Sequence, residues 1–322
     1  MAQPRLAPLS GRFGGVNLAG GEFAGKRLPG RYGHDYSYPD AKTARPFVEA
    51  GFGAVRVPVR WERLQPEAMG PLDAAELERL DRSLRALAGF GVVVLDVHNY
   101  ARYRGQRLDR PPASGAMLAD LWRRLAMRYR DRREIAFGMM NEPFGVAADD
   151  WRAIADETIR AIRGTGARNL VLVPGTRWTG AHSWERSGNA AAMRGFSDPA
   201  GNFAFELHQY LDGDSSGTSA ECVEPERAAA RLDVATEWLR RERARGVLAE
   251  FGAGDGARCL AGVEAMLRAM DANRDVWLGW TWWAAGARWN KNYPLNIQPG
   301  ASGADARMRL LARYSPRRDG AR

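Results

Sequence analysis

Cysteine is nearly absent: the 322 residues contain Cys222 and Cys259 and no C-x-x-C pair. A structural zinc site draws its four ligands largely from cysteine and histidine, so that class is excluded. Two buried free thiols or one disulfide remain. Long hydrophobic runs are also missing. No window approaches the ~20 apolar residues a membrane-spanning helix needs, so no membrane is expected as partner. Residues 1–10 lack the apolar stretch of a signal peptide. Lysine is scarce, at positions 26, 42 and 291 alone, although the net charge is +9. The positive charge is therefore almost wholly arginine, scattered in pairs such as Arg123–Arg124, Arg240–Arg241 and Arg317–Arg318. No basic run or nucleic-acid motif accompanies it, which favours a solvated arginine-rich surface over a nucleic-acid partner. Histidine occurs four times and never with metal-ligand spacing; neither metal nor cofactor is expected.

What is present is the balance of an ordinary soluble globular protein, 45% hydrophobic and 26% charged. Eight short apolar runs recur, at 13–18, 54–59, 92–97, 135–140, 170–173, 203–207, 247–251 and 276–283. Their β-branched and aromatic content favours buried strands. Segments with helical spacing lie between them, at 72–88, 114–130, 149–163, 226–245 and 258–272. In the first, Leu77, Leu80, Leu84 and Leu87 share one face opposite the charges. Gly51, Gly89 and Gly164 stand near helix ends, where a left-handed cap suits glycine. Strand–helix alternation on this scale predicts a single (β/α)8 barrel over 1–322, with 1–10 and 313–322 as peripheral tails. An open doubly wound sheet is the alternative. It would show a glycine-rich phosphate loop after its first strand, which Asn17-Leu18-Ala19-Gly20-Gly21 matches poorly.

The most informative run is Ile135-Ala136-Phe137-Gly138-Met139-Met140-Asn141-Glu142-Pro143. Its apolar body suits a strand covered on both faces. Pro143 cannot donate to a ladder and turns Glu142 away from helix, so the strand stops at an amide beside a carboxylate. The carboxyl ends of parallel barrel strands are where chemistry collects. A glutamate that merely caps the next helix is the competing reading. The second strand carries Arg56, the third ends Asp96-Val97-His98-Asn99-Tyr100, Trp178 follows the fifth, the sixth ends His208-Gln209-Tyr210, the seventh ends Glu250, and the eighth carries Trp280, Trp282 and Trp283. Each has a dull explanation alone. Together they furnish a polar, aromatic pocket with two carboxylates. That is the apparatus of glycoside hydrolysis: one carboxyl protonates the leaving oxygen and the other, ionised, attacks the anomeric carbon. Tryptophan offers a flat face to a sugar ring; Arg, His, Asn and Tyr supply directional hydrogen bonds.

An ordered series of motifs resembles glycoside hydrolase family 5, the cellulase family, and within it the fungal and bacterial endo-β-1,4-glucanases. The series comprises Gly15-Val16-Asn17-Leu18, Arg56-Val57-Pro58-Val59, Asp96-Val97-His98-Asn99-Tyr100-Ala101-Arg102, Phe137 to Pro143, Leu207-His208-Gln209-Tyr210-Leu211-Asp212, Gly217-Thr218-Ser219-Ala220-Glu221-Cys222 and Trp282-Trp283-Ala284-Ala285-Gly286. The resemblance implies that Glu142 is the acid/base and Glu250 the nucleophile. It makes Asn141 the binder of the sugar 2-hydroxyl. Arg56 and Tyr210 become the groups that hold the nucleophile ionised, His98 and His208 pocket histidines, and Trp283 a stacking platform. Ala249 and Phe251 depart from the usual neighbours of the nucleophile.

The family retains configuration, so the two carboxyls should stand ~5–5.5 Å apart. Related enzymes also pair cysteines, which implies a Cys222–Cys259 bridge and an oxidising compartment; unpaired thiols are the alternative. Trp61, Trp178, Trp184 and Trp289 are candidate cleft platforms. The implied substrate is a β-1,4-glucan. Mannan, mixed-linkage glucan, a bacterial exopolysaccharide, transglycosylation and a non-catalytic binding barrel stay open. A monomer is expected, secreted or periplasmic, its signal peptide lying outside this sequence.

Overall fold

A computed structural model describes residues 12–290, 292–300 and 303–316. Eight strands form one closed ring: β1 Phe13–Leu18, β2 Ala54–Val59, β3 Val92–Val97, β4 Ile135–Gly138, β5 Val171–Pro174, β6 Phe203–His208, β7 Gly246–Phe251 and β8 Trp277–Ala285. Every adjacent pair is parallel, and β8 closes on β1. The fold is a (β/α)8 barrel, and the open sheet is excluded.

Both faces of each strand are covered, which is why the strands read as unbroken apolar runs. Alternation assigns the faces. Val92 and Val94 join Ala54, Ala136, Leu172, Ala204 and Val247 inside the barrel, whereas Val93, Leu95 and Val97 pack outward under the helices. Two buried strand glycines are dictated by contact: a Cβ on Gly14 would stand 2.4 Å from the Trp280 ring, and one on Gly279 would stand 2.5 Å from the Phe13 carbonyl. Toward the carboxyl ends the inward positions become polar, at Arg56, Asp96 and Glu206. Between Leu207↔Leu248 and His208↔Glu250 the register slips by one residue. Such an irregularity re-aims side chains, and here it sets Glu250 opposite His208.

The helices Ala74–Ala86, Gly115–Tyr129, Ala148–Gly164 and Ala257–Ala272 fall on expected segments. The segment 226–245 instead forms two helices, Pro225–Ala230 and Asp233–Arg241. At the break, Arg231 donates to the carbonyls of Tyr210, Asp212 and Gly213 and pins the loop after β6. Ala41–Glu49 is helical despite Pro46, capped by the Asp40 carboxylate and buried through Thr43, Ala44 and Phe47. Ala306–Tyr314 is the last helix among the described residues, so Arg313 and Tyr314 are not part of a tail; the proposed tail positions 1–10 and 317–322, Arg317–Arg318 among them, lie outside the described residues. Between β5 and β6 the α-helical layer shrinks to the four-residue Asn189–Ala192, preceded by the 3-10 turns Arg177–Thr179 and Ala181–Ser183. Gly51 takes the left-handed cap, at φ +87°, but Gly166 does so in place of Gly164, and Gly89 is not left-handed.

Cys222 and Cys259 form a disulfide across 37 positions, with Cα atoms 5.2 Å apart. It ties the loop after β6 to the first turn of Ala257–Ala272. Closing a loop of that length contributes roughly 3–4 kcal/mol in the chain-entropy picture. Among the described residues no helix is long and apolar enough to cross a membrane.

Candidate active site

Glu142, past the end of β4, has a left-handed backbone at φ +41°. For a residue with a Cβ that conformation costs about 1–3 kcal/mol and persists only where neighbours hold it. Here they do: Asn141 N donates to Val97 O at 2.8 Å, Tyr100 N to Asn141 O at 3.1 Å, and Trp178 N to Pro143 O at 3.3 Å. The clamp turns the Glu142 carboxyl over the barrel mouth. There His208 Nδ1 donates to Glu142 Oε1 at 2.8 Å and lies 3.5 Å from Glu250 Oε2. Oxygens of Glu142 and Glu250 stand within 4.8 Å of each other.

Glu250 is fully engaged. Arg56 Nη1 donates to its Oε1 and the Tyr210 hydroxyl to its Oε2, each at 2.7 Å. Arg56 is wholly buried, and its other contacts fix it. Nη1 reaches Asn17 Oδ1 at 3.0 Å, and Nη2 reaches Asn141 Oδ1 and Glu206 Oε1 at 2.8 Å. Asn17 is itself anchored by donating to the carbonyls of Ala249, Thr281 and Trp282. One guanidinium thus ties β1, β2, β6, β7 and the segment just after β4 together.

The two carboxyls are driven apart in acidity. Burial pushes Glu142 up, helped by the charge of Glu250 and only partly opposed by the His208 hydrogen bond. Burial acts on Glu250 in the same sense, but His208, Arg56 and the Tyr210 hydrogen bond outweigh it and hold the group below its ordinary range. Opposed environments of this kind mark an acid and an ionised partner. The histidines diverge too. Burial opposes charging His208, yet Glu250, Glu142 and Glu206 carry it up to about 10. Burial lowers His98 to about 3, so its ring is neutral. His98 Nδ1 donates to Asp96 at 2.8 Å, while Nε2 accepts from Asn141 Nδ2 at 3.1 Å. The ring lies nearly parallel to Trp283, with centroids 5.5 Å apart.

Of the predicted residues, Arg56, His98, Asn141, Glu142, His208, Tyr210, Glu250 and Trp283 converge at this mouth. Trp178 stands at its edge, 47% exposed, stacked on Phe144 at 4.1 Å. A cleft of about 730 Å³ opens from Glu142, His208 and Tyr210 along Trp178. Trp289 is half-buried and does not line this cleft; it is stacked on Tyr293 at 4.3 Å and edge-on to Trp283. Trp61 and Trp184 are fully buried packing residues, not platforms. Trp280 and Trp282 are core as well, packed edge-on to Phe251.

Sequence reasoning gave no role to Asn17, Asp96, Glu206 or Glu22. Period-two alternation could have found two of them: Asp96 and Glu206 lie two positions before His98 and His208 and share their inward face. Asp96 is pushed up by burial, whereas Arg56 and His208 overcome burial to hold Glu206 down. Glu22 is pushed up to about 8 by burial. Its Oε2 accepts from Gly20 N at 2.8 Å, while its buried Oε1 has no partner.

Among the described residues, Glu142, His208 and Glu250 are the acid–histidine set close enough to ligate a cation. Both His208 ring nitrogens already face carboxylates, Nδ1 at 2.8 Å from Glu142 Oε1 and Nε2 at 3.3 Å from Glu206 Oε1, an arrangement that favours a protonated ring. The set fits proton and charge management better than metal binding.

The chain matches the sequence model of the cellulase family, glycosyl hydrolase family 5, over residues 15–286. It is 34% identical over 302 residues to endo-β-1,4-glucanase B of Emericella nidulans, covering 93% of this chain and 90% of that protein. It superposes on the endo-β-1,4-glucanase Xac0029 of Xanthomonas axonopodis pv. citri with a TM-score of 0.92 at 45% identity, covering 94% of this chain and 98% of the other. A cellopentaose complex of XacCel5A matches with a TM-score of 0.92 at 46% identity, covering 94% and 99%.

Proposed function

Because this chain belongs to the cellulase family, glycosyl hydrolase family 5, we propose that it cuts β-1,4-glucan chains internally, with retention, through Glu142 and Glu250. The observation that carries this reading is the separation of the two carboxyls, with oxygens within 4.8 Å. An inverting pair needs ~6.5–9.5 Å to admit a water between acid and base; a retaining pair is closer.

Ionised Glu250 attacks the anomeric carbon while Glu142 delivers its proton to the departing glycosidic oxygen. The carbon–oxygen bond breaks and a glycosyl ester forms on Glu250. Esterification removes the Glu250 charge, which lowers the proton affinity of Glu142. Glu142 then takes a proton from water as the water attacks the anomeric carbon and Glu250 leaves. Arg56 and Tyr210 keep Glu250 ionised and aimed. Asn141, held between Arg56 and His98, presents its amide to the 2-hydroxyl. His208 orients Glu142, and Trp283 stacks under the sugar on the glycone side.

The open cleft running from Glu142 along Trp178 supports an endo mode, since it leaves room for a chain to continue past the acid. The substrate class is supported by the relatives' names and by the cellopentaose complex. The disulfide supports a secreted or periplasmic setting. All groups named above come from one chain, which supports action as a monomer.

Release of reducing ends from carboxymethyl cellulose, mixed-linkage β-glucan and glucomannan tests the reading, with ¹H NMR of the first-formed anomer. The β anomer from a β-1,4-glucan is expected. Initial α anomer, or cleavage of glucomannan with no cleavage of either glucan, would refute it.

A further inference from the structure

The half of the cleft beyond Glu142 is lined by Glu142, His208 and Tyr210 but not by Glu250 or Trp283. The acid serves the leaving oxygen, so this half receives the departing part of the chain. Its wall carries Arg177 and Arg186, with Asp214 as its one other carboxylate besides Glu142. Around the catalytic pair every buried cation is matched, Arg56 by Glu250 and Glu206. In this wall the matching stops. Among the described residues neither Arg177 nor Arg186 has an ion pair or a side-chain hydrogen bond, and Asp214 is held by Ser216 N at 3.1 Å instead.

The backbone that presents Arg177 is also unusual. Arg177, Trp178 and Thr179 are consecutive left-handed residues, at φ +52°, +57° and +51°. Non-glycine residues visit that region singly, so three in a row must be held in place. The buried Thr179 hydroxyl does this by donating to the Glu206 carbonyl and accepting from Gly175 N, and Trp178 N is tied to Pro143. The strained turn sets a flat ring and a free guanidinium side by side in the leaving-group half.

We infer that the leaving-group half of the cleft accepts β-1,4-glucan bearing carboxylate substituents, with Arg177 and Arg186 pairing to those carboxylates while Trp178 carries the ring. The inference rests on the glucanase reading and deepens it. Both guanidiniums are exposed, so each pair is worth a modest factor, roughly 2–5-fold, and weakens with salt as screening sets in.

The test compares carboxymethyl cellulose with neutral hydroxyethyl cellulose of equal substitution. The ratio of kcat/KM on the two is read for wild type, Arg177→Gln, Arg186→Gln and the double variant. The ratio is expected to fall roughly 2–5-fold per arginine, and the wild-type ratio to fall as sodium chloride is raised. Tandem mass spectrometry of the products should show carboxymethyl groups enriched at the new non-reducing ends, and that enrichment reduced in the double variant. An identical ratio in all four proteins with no salt dependence would overturn the inference while leaving the glucanase reading intact. Failure of wild type to cleave either polymer would overturn both.

Discussion

Glu206→Gln removes one buried negative charge and little volume. Glu206 Oε1 accepts from Arg56 Nη2 at 2.8 Å and from His208 Nε2 at 3.3 Å. An opposite charge at this range shifts a titration by roughly 1–3 pH units. His208, at about 10 in the intact site, should therefore titrate at roughly 7–9 in the variant. It stays above its ordinary 6.5 because Glu250 and Glu142 still face it. Arg56 loses a charged hydrogen bond worth about 1.5–3 kcal/mol; if only the lower part of that reaches Glu250, kcat falls about 10-fold. His208 is raised on folding, so its contribution to stability is complete below pH 6.5 and is lost as pH rises through about 10. In the variant that loss should finish at lower pH. The assay is NMR of ¹⁵N-histidine protein, simple because the chain has four histidines. His98, at about 3, should stay neutral from pH 5 upward as an internal contrast. Titration of His208 near 6.5 in wild type, or at an unchanged pH in Glu206→Gln, would refute this reasoning.

Glu142→Gln should remove the basic limb of the pH–rate profile on aryl glycosides with good leaving groups, because that limb reports loss of the raised Glu142 proton; an unchanged limb would count against Glu142. Tyr210→Phe deletes the 2.7 Å bond to Glu250 Oε2, so kcat/KM should drop roughly 10–100-fold, as for a charged hydrogen bond. The same change removes a group that favours ionised Glu250, so the acidic limb should move to higher pH; an unmoved limb would separate Tyr210 from the nucleophile. Cys222→Ala opens the 37-residue loop and should lower unfolding free energy by roughly 3–4 kcal/mol in urea titration, whereas a change under about 1 kcal/mol would mean the bridge constrains little of the unfolded chain.

The barrel was legible because parallel strands buried on both faces leave unbroken apolar runs, and all eight lie within a few residues of the expected bounds. The helical layer was less so. Ala41–Glu49 hid behind Pro46, and the four-residue Asn189–Ala192 is too short for a period of 3.6 to register. At the site, residues at strand termini were readable because their position itself signals chemistry. Asn17, Asp96 and Glu206 were left without a role: alternation with His98 and His208 marks Asp96 and Glu206 as inward-facing, but which group each serves shows only in the partner facing it, here Arg56 or His98. The tryptophans failed for another reason. Trp61, Trp184 and Trp178 are the same residue type in strand-end segments, and only packing separates two core rings from one at the cleft.

The most direct test traps the intermediate. Incubation with a 2-deoxy-2-fluoro-cellobioside bearing a good leaving group, followed by proteolysis and mass spectrometry, should place the label on Glu250 and nowhere else. A label on Glu142, Glu206 or another carboxylate, or inactivation without any covalent adduct, would contradict the pairing of Glu142 as acid with Glu250 as nucleophile.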